Sequence, residues 1–168
     1  MKASPQIHSI YIASTAGDPM VQIEQARIIS GEGIEGDRYA AGLGAFSKTK
    51  QKIRHVSIIA LSGIADANSE LIAYQHTPFE EGDTRRNLVI NHISADDLNQ
   101  LVGKKFYLGD IAFKGTELCV PCQRPANLLG KPDFIKAFLG RGGLRAEALE
   151  SGFLVSGDSL RLSDTKEK

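Results

Sequence analysis

Two cysteines, Cys119 and Cys122, are the only thiols in 168 residues, and Val120 and Pro121 stand between them. Spacing this tight cannot staple a fold, so the pair points to metal, redox or nucleophilic chemistry. The surrounding stretch is Leu118-Cys119-Val120-Pro121-Cys122-Gln123-Arg124-Pro125, and it comes after the apolar run Ile111–Phe113. That order predicts thiols at a strand end, facing a cleft. Zinc needs four ligands, and no second cysteine pair exists. His55, His76 and His92 could contribute, but none shows the paired H-x₃₋₅-H spacing. A thioredoxin-like dithiol needs its C-x-x-C to open a long helix early in a βαβ unit. Here Pro125 and Pro132 interrupt the segment downstream of the thiols, and little chain remains for the rest of such a fold. A third reading is a single thiolate, with Arg124 supplying a positive neighbour that favours the charged form. A thiolate serves as a nucleophile, a sulfur carrier or a soft ligand for a heavy metal. The opposing reading is a pair of inert cysteines packed as small hydrophobes.

Arginines form the second chemical signal. Gly82-Asp83-Thr84-Arg85-Arg86-Asn87 precedes an apolar run. Guanidinium groups grip phosphate bidentately, and an asparagine amide reads a neighbouring polar edge. The alternative is a solvated pair bridged to Glu80, Glu81 or Asp83. Gly140-Arg141-Gly142-Gly143-Leu144-Arg145 is a candidate anion nest, in which glycines let backbone N–H groups converge while Arg141 and Arg145 add charge; a plain turn is the competing reading. Arg54-His55 heads a β-branched run and could face the same site, although a lone histidine is more often structural. Gly31-Glu32-Gly33-Ile34-Glu35-Gly36 matches G-x-G-x-x-G, but Asp37-Arg38-Tyr39-Ala40-Ala41-Gly42 is a poor helix start, so a glycine-rich turn is expected rather than a dinucleotide loop. Asp37-Arg38 could still act at the loop tip. Combined, these signals describe one site with a thiolate and several arginines, suited to a ligand both phosphorylated and thiophilic or metal-bearing.

Positioning such a site falls to short strands. Seventeen glycines and six prolines are spread between short apolar runs, which favours strands and turns over long helices. Strands are predicted at Ile7–Ala13, Val21–Ile29, His55–Ile59, Asn87–Ile90, Lys105–Leu108, Ile111–Phe113, Leu154–Val155 and Leu160–Leu162. Helices are predicted from Ser62 to about Tyr74, from Ser94 through Val102, and from Pro132 to Leu139. The sum is a mainly β, β-rich α+β domain, expected to be barrel-like with a few short peripheral helices. Residues 1–163 are read as one domain and 164–168 as a charged, fraying tail.

Twenty basic residues balance twenty acidic ones. Zero net charge argues against nucleic acid as a partner, because polyanion binding needs a cationic excess. No stretch reaches the roughly 18 apolar residues of a membrane helix, and the N-terminus lacks an apolar signal core. A cytoplasmic location without membrane attachment is therefore expected, where thiols stay reduced.

The sequence resembles the MOSC domain family, named for the C-terminal domain of molybdenum cofactor sulfurases. The resemblance rests on Gly33-Ile34-Glu35-Gly36-Asp37-Arg38, Arg54-His55-Val56-Ser57, Gly82-Asp83-Thr84-Arg85-Arg86-Asn87-Leu88, Leu101-Val102-Gly103 with Phe106-x-Leu108-Gly109, Cys119-x-Pro121-Cys122, and Gly140-Arg141-Gly142-Gly143-Leu144-Arg145-Ala146 with Gly152 and Gly157-Asp158. It spans roughly Gly33 to Leu162. The resemblance implies a barrel-like β fold and a functional cysteine, which maps onto Cys122 because it comes directly after Pro121. Cys119 looks like a feature of one subgroup. In family members that act as oxidoreductases this cysteine ligates molybdenum on a pterin dithiolene, so Cys122 is the implied catalytic residue and metal ligand. The family's Arg-x-Asn contact maps onto Arg85 and Asn87. Arg86, Arg141, Arg145, Arg54 and His55 complete the expected cofactor-binding set. If redox-active, such a protein would reduce N-hydroxylated substrates. In other members the domain is proposed to carry sulfur as a persulfide, which would put the sulfur on Cys122 and make Cys119 a resolving thiol. Pyridoxal phosphate is a further family-level association. The chain reads as a small stand-alone member without a cysteine desulfurase domain, an extra β-barrel domain or a ferredoxin segment, so an external sulfur or electron donor protein is expected. From a different class, a small-molecule binding module without turnover remains open.

Overall fold

The computed structural model describes residues 3–48, 52–73, 77–131 and 133–163. The predicted end of the first helix at Tyr74, the metal-ligand candidate His76, the helix start at Pro132 and the tail 164–168 lie outside the described residues. Within them, β-branched runs lay down a chain of strands: β1 Gln6–Ile12, β2 Val21–Ile23, β3 Gln25–Ile29, β4 Gly33–Ile34, β5 Val56–Ala60, β6 Leu88–Asn91, β7 Lys105–Leu108, β8 Ile111–Leu118, β9 Leu144–Ala148, β10 Gly152–Val155 and β11 Leu160–Leu162. The helices are short: α1 Leu61–Ala73, α2 Ala95–Asn99, α3 Gln123–Leu129 and α4 Phe134–Phe138.

Eight strands form one curled sheet in the order β11-β7-β8-β9-β5-β6-β1-β2, and β10-β3-β4 form a second. A bridge between Gln6 and Ser159 and the Leu160 N–H donated to the Pro5 carbonyl at 2.9 Å return β11 to the start of β1, so the large sheet curls as half a barrel. All of its strand pairs are antiparallel except β5 and β6. Parallel neighbours need a crossover, and α1 supplies it between them.

The period-two alternation of a strand sorts side chains onto two cores. Ile58, Leu88 and Ile90 point inward to a cluster with Ile7, Ile28, Phe106, Phe113 and Leu144. Ile59 and Val89 point to the outer face, where Ile64, Leu71, Phe79, Phe134 and Phe138 of the helical layer cover them. Phe79 meets Phe134 and Phe138 edge-on, with centroids 5.6 and 5.2 Å apart, the preferred aromatic geometry. Among the described residues no helix is long and apolar enough to cross a membrane.

Three departures from the sequence expectation shape the surroundings of the thiols and arginines. The run Val21–Ile29 breaks at Glu24, because Val21 and Ile23 belong to the large sheet and Ala26 and Ile28 carry the opposite parity into the small one. The glycine-arginine segment ends in strand β9 rather than opening a flexible loop. Helix α3 begins directly after Cys122. Pro125 does not block it, since the first turn of a helix has no partner for its N–H groups in any case.

Candidate functional site

Strand β8 ends at Leu118, and the chain then delivers both thiols to one cleft of about 80 Å³. The Cys119 N–H donates to the Gly143 carbonyl at 2.8 Å, which fixes Cys119 beside the start of β9 and buries it. Cys122 is exposed; it is the extended residue that caps α3, with φ −132° and ψ 171°. Arg38, Tyr39, Arg85, Arg86, Arg124 and Arg145 share the cleft with them.

Each arginine is held differently. Arg38 is anchored by Asp37, which is completely buried. The Asp37 carboxylate accepts the Ala13 N–H at 3.1 Å, Arg38 Nη1 at 3.1 Å, the Tyr39 N–H at 3.3 Å and Asn87 Nδ2 at 3.3 Å. This makes the Asp37-Arg38 dipeptide the hub of the loop leaving β4. Its entry is tight: a Cβ on Gly33, where φ is +123°, would sit 2.4 Å from the His55 carbonyl oxygen.

Arg85 comes after a single 3-10 turn, Glu81–Thr84, and adopts the left-handed conformation at φ 59° and ψ 23°. Non-glycine residues rarely do so, and such strain concentrates at functional positions. Its Nη1 donates to the Asp18 carbonyl at 2.9 Å, and its own carbonyl accepts Arg38 Nη2 at 3.4 Å. Burial, then the positive charges of Arg38 and Arg124, hold the Arg85 guanidinium below its ordinary pKa. An anion in the cleft would relieve that repulsion. Arg86 Nε donates to the Gly142 carbonyl at 2.8 Å.

Arg145 stands on β9, opposite Glu117 of β8 and Ser57 of β5. Its Nη1 meets the Glu117 carboxylate at 2.6 Å, and Lys52 reaches the other oxygen at 3.1 Å. Burial raises the Glu117 pKa, but hydrogen bonds from Lys52 and Arg145 outweigh it and hold the group below the usual range. Among the described residues Arg85, Arg86 and Arg124 have no carboxylate in ion-pair reach. The cleft is therefore net positive around an accessible thiol, although the whole chain is neutral.

Other expected site residues lie elsewhere. Asn87 is buried behind the cleft, not on its surface. Its Oδ1 accepts the Ser57 N–H at 3.1 Å and the Ser57 hydroxyl at 3.2 Å, and its Nδ2 donates to the Tyr11 carbonyl at 3.0 Å as well as to Asp37. The amide ties β1, β5 and the Asp37 loop together, and so positions Ser57 and Asp37. Arg141 points away and pairs with Glu70 of α1 at 2.8 Å. Arg54 and His55 line an adjoining cavity, and His92 lies on a separate groove. Tyr39 lines the cleft from outside the expected set, Arg38, expected only as a loop-tip candidate, joins it, and Glu117 holds Arg145 without lining the cleft itself. The signal for Arg38 is its place after the Gly33–Gly36 turn, whereas Glu117 sits in a polar stretch that gives no strand signal.

His55 couples the fold to pH. Its Nδ1 accepts the Ala148 N–H at 3.1 Å, and burial, partly opposed by Glu147, depresses its pKa. The unfolded histidine takes up a proton below about pH 6.5 while the folded one still resists, so stability falls as pH drops through that window. Thermal unfolding between about pH 7.5 and 5.5 should show a steeper loss in the parent than in His55→Gln. Equal slopes would remove His55 as the cause.

A MOSC domain family model matches residues 46–161. Among solved structures the fold is similar to the YUAD protein from Bacillus subtilis, with a TM-score of 0.75, 18% identity and 94% of each chain covered. It is also similar to YiiM from Geobacillus stearothermophilus, with a TM-score of 0.67, 18% identity, and 95% of this chain against 75% of that one. YiiM from Escherichia coli gives a TM-score of 0.70 at 12% identity, over 99% of this chain and 72% of that one. At these identities the likeness shows the fold alone. No curated protein sequence matches the chain.

Proposed function

The chain belongs to the MOSC domain family, and from that premise we propose that the cleft at Cys122 binds a molybdenum–pterin cofactor, with the Cys122 thiolate as metal ligand. The observation carrying this reading is the meeting of an exposed thiol with Arg85, Arg86, Arg124 and Arg145 in one cleft. The donor set suits the group: sulfur is a preferred ligand for soft metals, and guanidinium groups match a phosphate. Arg85, Arg86 and Arg124, which lack carboxylate partners among the described residues, would hold the phosphate. When bound, the cofactor would supply oxygen-atom and electron transfer, the chemistry needed to reduce N-hydroxylated substrates.

The protein's own part is orientation and charge. Asp37 and Asn87 hold Arg38 and Ser57 in place, which fixes that wall, while the cleft of about 80 Å³ would have to widen elsewhere to take a whole pterin. Glu117 fixes Arg145 in position. The strained Arg85 backbone aims its guanidinium at the cleft without a folding step on binding. Expression in a molybdenum-replete, cofactor-producing host, with assay of bound metal and pterin, tests the reading. Folded protein carrying neither would contradict it.

The shared cleft of Cys119 and Cys122 favours a second reading, a sulfur carrier. Attack of the Cys119 thiolate on the inner sulfur of a Cys122 persulfide would form a disulfide and release hydrosulfide. After incubation with a cysteine desulfurase and cysteine, mass spectrometry should show one added sulfur that is lost in Cys122→Ala. Its loss in Cys119→Ala instead would assign the wrong cysteine.

A further inference from the structure

Next to the Cys122 cleft lies a second cavity of about 320 Å³. Tyr39 and Phe46 line both spaces and form the partition between them. Phe46 is carried on a small turn closed by two hydrogen bonds: the Gly44 N–H donates to Ser47 Oγ at 2.8 Å, and the Ser47 N–H donates to the Gly44 carbonyl at 3.1 Å. Its ring lies 4.7 Å from the guanidinium carbon of Arg54. Beneath it, Nε and Nη1 of Arg54 are buried with no hydrogen-bond partner among the described residues. A buried, unpaired donor on a charged group is costly, and in native proteins it marks a place where a ligand or water belongs.

His55 lines the same cavity. Because its Nδ1 accepts from Ala148, the neutral ring carries its proton on Nε2 and can donate from there. Lys52 stands at the rim and is already shared with Glu117, and the exposed Glu32 is the carboxylate of the lining. Among the described residues, the buried side-chain polar atoms of the lining without a protein partner are thus donors, Nε and Nη1 of Arg54.

We infer that this cavity is a second anion subsite, in which Arg54 and His55 bind a phosphate-like oxyanion once the Phe46 ring swings off the guanidinium. The inference goes beyond the cofactor reading and stands whatever occupies the Cys122 cleft. Phe46 is then a cap that stabilises the empty site through its cation–π contact and yields to an anion able to satisfy the two orphaned donors.

The chain has no tryptophan, so Phe46→Trp places a unique fluorophore on the cap. Titration of this reporter with inorganic phosphate, in a phosphate-free buffer, is expected to give a saturable change in emission. Adding Arg54→Met should weaken binding by about tenfold or more, the scale of a lost hydrogen bond to a charged group, with Arg54→Lys in between. Adding Arg27→Met, an exposed arginine of β3 that pairs with Glu35 and lines neither cavity, should leave the titration unchanged. A response that survives Arg54→Met, or one lost equally in Arg27→Met, overturns the inference. If the indole gives no signal, calorimetry on Phe46→Ala decides: the uncapped guanidinium should bind phosphate more tightly than the parent, and no measurable heat overturns the proposal. Metal and pterin content is the separate readout of the cofactor reading, so the two fail independently.

Discussion

Asp37→Ala is expected to destabilise the protein by about 3–5 kcal/mol, the usual cost of removing one partner from a buried ion pair. For a chain of this size each kcal/mol lowers the melting temperature by about 2–4 °C. The cause is not the ion pair alone. Asp37 has no solvent exposure and receives four donors, from Ala13, Arg38, Tyr39 and Asn87. Its removal takes the carboxylate from a buried guanidinium and unpairs one N–H of the Asn87 amide and two backbone N–H groups. Arg38 would then press its charge against Arg85, which already has a depressed pKa. Asp37→Asn keeps the shape but turns an N–H donor toward donors, so it should also destabilise, by a smaller amount. Thermal or urea unfolding checks the order. A near-neutral Asp37→Ala would show that the loop leaving β4 is not organised by this carboxylate.

Gly143→Ala should be at least as severe, above about 4 kcal/mol or unable to fold, the range reached when a side chain is forced into occupied space. A Cβ at this position would lie 1.9 Å from the Ile58 carbonyl oxygen and 3.1 Å from the Ile59 Cα, at φ +85°. Both obstacles are backbone, so no rotamer can yield. The close approach is what lets β9 start against β5 while Cys119 hangs from the Gly143 carbonyl. Gly130→Ala is the control. It also has a positive φ, +62°, but nothing within 4 Å, so its cost should be the left-handed penalty alone, about 1–2 kcal/mol. Equal effects of the two substitutions would mean that conformation, not packing, dominates at Gly143.

Much of the sheet is legible because its strands are β-branched and bounded by glycines. Strands β7 and β11 fall at the predicted residues, and the fold class is the one expected. Strand β4 is invisible in sequence because two residues, one of them glycine, carry no period. Strand β9 alternates Leu144, Ala146 and Ala148 inward against Arg145 and Glu147, but the preceding glycines and the flanking arginines read as a loop. Helix α3 is hidden by Pro125, whose restriction does not apply in a first turn. At the site, composition draws attention to arginines near glycines without separating those that share a face. Arg145 faces the cleft because strand parity turns it toward Glu117, while Arg141, only four residues earlier, precedes the turn and meets Glu70. Asn87 reads as a ligand contact because amides beside arginines often are; its role behind the cleft depends on β1 and on the Asp37 loop, partners distant in sequence.

Binding at Cys122 is the central claim. X-ray absorption at molybdenum, on protein loaded during expression, counts the sulfur atoms around the metal. The cleft geometry predicts one more sulfur ligand in the parent protein than in Cys122→Ala. An equal sulfur count in the two, or folded parent protein that takes up no molybdenum, would contradict it.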